Sequence, residues 1–249
     1  LIRALIIRRF WLLRNRILTT ASIIVLTPIG FHVFLSSVIK NIYSFSPNGI
    51  SIESWLFPAV IFSFSSLTIL AIVYRDLFNP QSTLQFLRLL SISPNSKTKI
   101  IIGILLSSLV ECLFYSIIST LVLLIFTPEP FSFFAFLSIQ FYLIFYLGLI
   151  GNFVISLSIF VQRGFTFLFL SFIFLQLIFV SSNILFEHQI YSEIMNVIFF
   201  NNPFNMLLYD LRHLIFFEEF NFIWIVISVS IIMTWIFLNS VLLKRKLKQ

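Results

Sequence analysis

Long apolar runs separated by short polar segments dominate the chain, and there are six of them. Each run reaches the roughly 20 consecutive apolar residues that a helix needs to cross a bilayer. None has the alternation of apolar and polar side chains that is typical of the strands of an outer-membrane barrel. The runs cover residues 17–39, 54–74, 100–126, 131–161, 165–185 and 222–243. The pattern predicts an all-α, polytopic membrane protein with six transmembrane helices in a single domain, 1–249.

The composition supports this interpretation. Of the 249 residues, 59% are hydrophobic and only 10% are charged, whereas a soluble domain carries about 25% charged residues. Sixteen basic and nine acidic residues cannot cover the surface of a water-soluble protein of this size, which excludes a soluble enzyme and a disordered chain. The single cysteine excludes a disulfide framework and a cysteine-based metal site.

The charges predict the orientation of the chain in the membrane. Fourteen of the 16 basic residues lie in the N-terminal segment, the second and fourth connections and the C-terminal tail, and seven of the nine acids lie in the other connections. Cytoplasmic segments are enriched in Lys and Arg, so both termini are expected in the cytoplasm, with the chain in a bacterial plasma membrane or an organellar membrane. Nucleic-acid binding is not expected, because it needs basic and stacking aromatic residues together on a water-exposed face.

Two segments on the predicted cytoplasmic side are apolar enough to interact with the membrane. Residues 1–16 carry five arginines among apolar residues and are expected to form either an interfacial helix or an ordinary basic flank. The connection 74–99 has a helix-start signal at Pro80 and a helix-end signal at Ser93-Pro94. A short amphipathic helix here would dock onto a soluble partner or lie on the membrane.

The external segment 186–221 contains a second helix-start signal. Asn202 is a favourable N-cap, and Pro203 suits the first helical position. The following helix carries Asp210 and Arg212, and at about 12 residues it is too short to span a bilayer. We expect it to be re-entrant or to lie at the outer interface, packed on the outer ends of the spans.

Glu111 is the one acidic residue inside a predicted span. It lies about 16 Å from the cytoplasmic end by helix rise, where a carboxylate is costly and indicates a transport pathway or a paired site. The alternative is a protonated Glu111 hydrogen-bonded to a serine or an amide of a neighbouring helix. Gln140 and Gln176 are further candidates for a substrate pathway. A lone His32 on an apolar helix is more often hydrogen-bonded than a metal ligand.

The chain has no visible catalytic residues. It contains neither the G-x-x-x-x-G-K-[ST] loop that holds a nucleotide phosphate nor the H-E-x-x-H pair that holds zinc. A proton-coupled transporter usually carries several intramembrane carboxylates, so the single Glu111 argues against a self-sufficient secondary transporter. The sequence therefore predicts a protein that is not itself an enzyme and has no metal or cofactor of its own.

With these features in this order, the chain resembles the membrane subunit, or permease, of a type 2 ABC exporter. The cytoplasmic motif of that family has counterparts here in Arg75-Asp76, in residues 82–87, in Ser93-Pro94 and in Gly103. Its external motif has a counterpart in Asn202-Pro203 followed by Arg212, with an acid at Asp210. The departures from the family pattern are Ser82 for Gly, Gln85 for Glu and Ile104 for Lys.

The resemblance implies an N-terminal interfacial helix, a cytoplasmic coupling helix, and short external helices before the last span. It implies that a separate ABC ATPase subunit, holding ATP and Mg, docks on the coupling segment and that two copies of each subunit assemble, the permeases as a homo- or heterodimer in contact with membrane lipids. A lipid-linked or amphipathic substrate would move outward. The coupling residues it implies are Arg75, Asp76, Thr83, Leu84, Leu87, Arg88, Ser93 and Pro94.

The sequence leaves two alternative functions open. The link Gln162-Arg163-Gly164 is similar to that of the haem-exporter permease of cytochrome c maturation, although that subfamily usually lacks the long external segment. A structural or assembly subunit of a membrane complex, in an organelle for instance, would carry the same six-helix shell without transporting anything.

Overall fold

The computed structural model describes residues 1–40, 49–78, 96–127, 131–161, 163–182, 197 and 201–246. Within these ranges the chain forms helices and no strand, which confirms the all-α prediction. The helices are α1 (Ile2–Arg14), α2 (Ile17–Lys40), α3 (Ile52–Phe78), α4 (Lys97–Leu123), α5 (Phe133–Phe160), α6 (Gly164–Ser181), α7 (Pro203–Phe217) and α8 (Ile223–Lys246).

Six of these helices are long and apolar enough to cross a membrane. They are α2 to α6 and α8, and each coincides with one of the six predicted spans, with ends that differ by a few residues. The agreement has a simple cause: in hydrocarbon every backbone N–H and C=O must be paired within the chain, so a long apolar run folds as a helix. The protein is therefore a multi-pass membrane protein.

Successive spans run in opposite directions, and both described chain ends lie at the same end of the bundle. Leu1 and Leu5 pack against Gly103 near the start of α4, and the hydroxyls of Thr98 and Ser240 are 2.8 Å apart, joining the start of α4 to the end of α8. We call this the basic end of the bundle; it comprises α1, the C-terminal ends of α3 and α8, and the first half of α4, up to Glu111. The other end is called the acidic end.

Helix α3 occupies the centre of the bundle. Its residues from Ser54 to Ser66 are all buried, and it packs against α2, α4, α5, α6 and α7. Helices α2, α6 and α8 lie at the periphery, and at most 28% of the apolar window of each is buried, as expected for surfaces that face lipid.

Glycines allow α5 to approach its neighbours closely. A Cβ atom at Gly151 would lie 2.6 Å from Cδ1 of Leu105 in α4 and 3.1 Å from Cδ1 of Ile69 in α3, and one at Gly148 would lie 2.7 Å from Cδ1 of Ile232 in α8. Small residues at such contacts let helix backbones come together in membrane proteins. The same tight contacts hold α5 between α3, α4 and α8.

Two helices that are not spans pack on opposite ends of the bundle. Helix α1 runs along α4, with Leu1 near Gly103 and Leu13 near Phe114. Helix α7 packs mainly on α5 and α8. It begins as predicted, with Asn202 as the N-cap and Pro203 as the first helical residue. The Asn202 side chain accepts a hydrogen bond from the Phe204 N–H at 3.0 Å.

Candidate functional site

The basic end contains a cluster of four charged side chains from three helices. Arg9 comes from the middle of α1, Arg75 and Asp76 from the last turn of α3, and Glu111 from the middle of α4. Two positive and two negative charges balance within it. We call these four residues the ion network.

Arg9 lies at the centre of the network, although most arginines of such a segment would extend into water. It is only 4% exposed. Its Nη1 donates to Oε2 of Glu111 at 2.7 Å, and its Nη2 donates to Oδ2 of Asp76 and to Oγ of Ser108, the latter at 3.0 Å. One side chain of α1 is thereby bound to both α3 and α4.

Glu111 accepts hydrogen bonds on both of its carboxylate oxygens. Arg75 donates in a bidentate manner, from Nη1 to Oε1 at 2.9 Å and from Nη2 to Oε2 at 2.8 Å. The Tyr115 hydroxyl, one turn further along α4, donates to Oε1 at 2.8 Å. With Arg9 on Oε2, the carboxylate has four donors, which is the full capacity of an ionised carboxylate.

The local sequence of α4 explains why α1 can place an arginine here. Small residues at Gly103, Ser107 and Ser108 face α1. Leu5 and Arg9 are four residues apart, so they lie on one face of α1, and both are buried. Leu5 packs over Gly103, with 3.1 Å between its Cδ1 and the position of a Cβ there, which brings Arg9 level with Ser108 and Glu111.

Burying charges is costly, and the network offsets this cost only through its geometry. Each of the three fully buried members, Arg9, Asp76 and Glu111, has an opposite charge in direct contact. Breaking such a buried pair typically costs about 3–5 kcal/mol, whereas replacing a whole pair with apolar side chains is often neutral. The network therefore ties three helices together through specific charged partners, which apolar packing alone would not require.

The observed partners of Glu111 differ from those expected of a protonated side chain. A serine or an amide of a neighbouring helix was the expectation for that alternative, but the neighbouring helices present two guanidinium groups instead. Glu111 is thus a paired site within the membrane-spanning bundle, at the same level as the end of α3.

The other two polar residues proposed for a substrate pathway do not join Glu111. Gln140 accepts from the Ser116 hydroxyl at 2.7 Å and donates to Oγ1 of Thr120 at 3.1 Å, so it links α5 to α4. Gln176 lies on the exposed face of α6. The three side chains therefore do not line one common cavity in this conformation.

Of the expected coupling residues, the structure describes only Arg75 and Asp76. Thr83, Leu84, Leu87, Arg88, Ser93 and Pro94 lie outside the described residues. Arg75 and Asp76, however, belong to the final turn of α3 that leads directly into this segment.

At the acidic end, Asp210 and Arg212 are both buried, but in different surroundings. The guanidinium of Arg212 lies over the ring of Trp55 at the start of α3, 4.4 Å from its centroid. Asp210 is 2% exposed, and among the described residues nothing hydrogen-bonds its Oδ2. Burial raises the pKa of Asp210 to about 7. Asn202, besides capping α7, donates to the Ser181 hydroxyl at 2.8 Å and so ties α7 to α6.

Sequence reasoning identified Arg75, Asp76 and Glu111 but missed Arg9, Ser108 and Tyr115. A signal for Arg9 was present: the only two acids that belong to the basic end are Asp76 and Glu111, and each needs a cation when buried. The five arginines of residues 1–16 were the nearest supply, and Arg9 follows Leu5 at helical spacing.

Within the ranges that the structure describes, no three His, Cys, Asp or Glu side chains are grouped so that they could hold an ion. His32 is buried in α2, outside any such group.

The chain was compared with protein-family models, with curated proteins and with solved structures, and none of them matches it.

Proposed function

We propose that this chain is the membrane-spanning subunit of an ATP-driven exporter of the type 2 ABC kind. It would form the substrate pathway, and a separate ATPase subunit with ATP and Mg would dock at the basic end. The basic end would then face the cytoplasm, in a bacterial plasma membrane, and two copies of the chain would assemble with two ATPase subunits. The substrate would be amphipathic or lipid-linked.

The observation that carries the proposal is the ion network. A subunit docked on residues 79–95 would act first on the last turn of α3, because these residues continue directly from Phe78. Arg75 and Asp76 of that turn are ion-paired to Glu111 of α4 and to Arg9 of α1. A displacement of the docking segment would therefore move α1, α3 and α4 together.

A static shell would not need such a network. Apolar side chains of similar volume in the same places would hold a permanent structure equally well or better. Ion pairs, in contrast, can exchange partners between discrete arrangements, and Asp76 already lies next to both arginines: Arg9 hydrogen-bonds its Oδ2, and Nε of Arg75 is 3.6 Å from its Oδ1. This favours a moving transport subunit over an assembly factor.

The order of the helices also supports the proposal. An N-terminal helix packed beside the spans, six spans, and a capped helix at Asn202-Pro203 before the last span occur in the order that the resemblance implies. Each element alone is common in membrane proteins. The order of these elements along the chain, and the side of the bundle on which each one lies, distinguish this chain.

Co-purification tests the proposal. The chain is tagged at its native locus and purified from the membranes of its own host, and Leu84→Asp and Leu87→Asp are introduced singly and together. We expect the wild-type complex to hydrolyse ATP and the double variant to lose the ATPase subunit, because charged side chains would abolish an apolar docking surface. A wild-type complex without ATPase activity, with a composition that these changes leave intact, would identify a structural or assembly subunit instead.

A second experiment tests the role of the network. Glu111→Gln should leave the ATPase subunit bound, because residue 111 lies inside the bundle, but should uncouple hydrolysis from transport in proteoliposomes. The matched control is Glu53→Gln, which removes the carboxylate of the Lys40–Glu53 ion pair at the acidic end without touching the network. Loss of transport in both variants to the same degree would argue against a specific coupling role for Glu111.

A further inference from the structure

A groove on the outside of the bundle lies between α5 and α8 near the basic end. Its volume is about 460 Å³, within the range of about 300–1,000 Å³ that is typical of small-molecule sites. It belongs to the peripheral, lipid-facing part of the structure, because only 22% of the apolar window of α8 is buried. The residues that shape it include Phe153, Ser156, Trp235, Leu238, Val241 and Arg245.

Two uncharged polar side chains, Ser156 and Trp235, line the groove, and both are hydrogen-bonded. The Trp235 indole N–H donates to the Ser156 hydroxyl at 2.8 Å, and this hydroxyl lies 2.6 Å from Oδ1 of Asn239. The Asn239 amide in turn donates to the carbonyl oxygen of Asn152 at 3.1 Å. Since these groups satisfy each other, the groove offers an occupant a mainly apolar surface, suited to a hydrocarbon chain.

The groove has a charge at one end. Among the described residues that line it, Arg245 alone is charged; it lies near the C-terminal end of α8, where it is exposed. From Trp235 to Arg245 the helix rises about 15 Å, which is half of the roughly 30 Å hydrocarbon thickness of a bilayer. The apolar part therefore extends over the depth of one leaflet, with the cation at the level of the headgroups.

We infer that this groove binds an anionic phospholipid of the leaflet at the basic end, with an acyl chain along α5 and α8 and the phosphate on Arg245. An arginine in this position hydrogen-bonds a phosphate strongly and with defined geometry. The exposed Lys244 next to it adds to the local positive charge. This site is independent of the proposed export function.

Charge complementarity favours a lipid over a second copy of the chain. A copy in the same orientation could offer Arg245 only the acids of its own basic end, and these are Asp76 and Glu111. Both are buried and already paired in the ion network. An anionic lipid headgroup supplies the missing negative charge at the correct depth.

Quenching of Trp235 fluorescence tests the site. The full chain is reconstituted in phosphatidylcholine vesicles that contain phosphatidylglycerol with brominated acyl chains, and in matched vesicles where the phosphatidylcholine is brominated instead. The difference between the wild type and Trp235→Phe isolates the signal of Trp235. We expect the mole fraction that half-quenches this signal to be about tenfold lower for brominated phosphatidylglycerol than for brominated phosphatidylcholine. This is the factor expected for one charged hydrogen bond.

Three variants define the outcome. Arg245→Gln should abolish the preference for phosphatidylglycerol, whereas Arg3→Gln, which removes an exposed arginine of α1 at the same end, should keep it. Val241→Phe should fill the groove and reduce quenching by both lipids. Equal quenching by the two lipids in the wild type, or equal preferences in the two arginine variants, would overturn the proposal. Absence of quenching by either lipid would show that protein covers the groove, as a second copy would, and would also overturn it.

Discussion

Nη1 of Arg9 and Oε2 of Glu111 are 2.7 Å apart, although 102 residues separate them in the chain. The contact joins a short helix at the N-terminus to the middle of a membrane span. Because Glu111 also binds Arg75, this one carboxylate connects α1, α3 and α4. Because Glu111 joins three helices, the ion network is expected to contribute to the stability of the basic end as well as to the proposed coupling.

Arg9→Gln should lower the free energy of unfolding by about 3–5 kcal/mol, because it leaves Asp76 and Glu111 buried with one cation between them. Arg3→Gln is the control, since Arg3 is exposed on the same helix and should change the value by about 0.5 kcal/mol or less. Denaturant titration in mixed micelles measures both. Equal losses in the two variants would mean that Arg9 contributes no more than an ordinary surface arginine.

Gly151→Ala should destabilise the bundle by about 1–3 kcal/mol, the usual cost of overpacking a tight interior. The new methyl would collide with Leu105 and Ile69, both buried. Gly30→Ala provides the matched substitution, because a Cβ there meets nothing within 4 Å. In a helix this change should be neutral or stabilising by up to about 1 kcal/mol. Thermal unfolding of the two variants distinguishes them; similar midpoints would contradict the tight contact.

The contribution of Asp210 to the free energy of unfolding should fall as the pH rises from about 4 to about 7. Its pKa is raised from 3.8 to about 7 in the folded state by burial, so the folded protein binds more protons than the unfolded chain between these values. The stability that this raised pKa contributes is fully present below pH 3.8, the pKa of the unfolded state. It is lost as the pH rises through about 7, the pKa of the folded state.

Asp210→Asn tests this dependence, because an amide of the same size does not titrate. The variant should be more stable than the wild type at pH 8, by about 1–3 kcal/mol, and this advantage should disappear at pH 4. Any contribution of His213, which lies 3.2 Å from Glu219, is common to both proteins and cancels in the difference. Parallel stability curves across this pH range would refute the assignment.

Asn202→Ala should cost about 1–2 kcal/mol through loss of the N-cap of α7, and it also removes the hydrogen bond to Ser181. The adjacent Asn201 is exposed and bonds only to the Val197 carbonyl among the described residues, so Asn201→Ala should have little effect. Hydrogen exchange of the first turn of α7 measures the difference. Unchanged protection in Asn202→Ala would show that packing alone holds the start of this helix.

Some features of the site could be foreseen from local chemistry. The start of α7 follows from Asn202 and Pro203, whose cap and ring preferences act within a few residues. The importance of Glu111 follows from the cost of a carboxylate in a membrane span. Both features are determined by a residue and its neighbours along the chain, so they can be predicted without the packing of the helices.

The partners of these residues could not be foreseen in the same way. Five arginines in residues 1–16 are chemically alike, and only the packing of Leu5 over Gly103 places Arg9, rather than another, beside Glu111. Gln176 is a similar case. Because α6 is apolar on all sides, its sequence has no polar face to indicate orientation, and the structure places Gln176 on the exposed side.

The number of spans, their approximate ends and the all-helical class followed directly from the amino-acid order, because the membrane imposes a length and a pairing requirement on every apolar segment. The balance of charges between the two ends followed for the same kind of reason, as a property summed over segments. The ion network and the groove beside Arg245 required the folded bundle. Both depend on which side chains of distant segments come within a few ångströms of each other, and this is determined by helix packing rather than by any property of one segment.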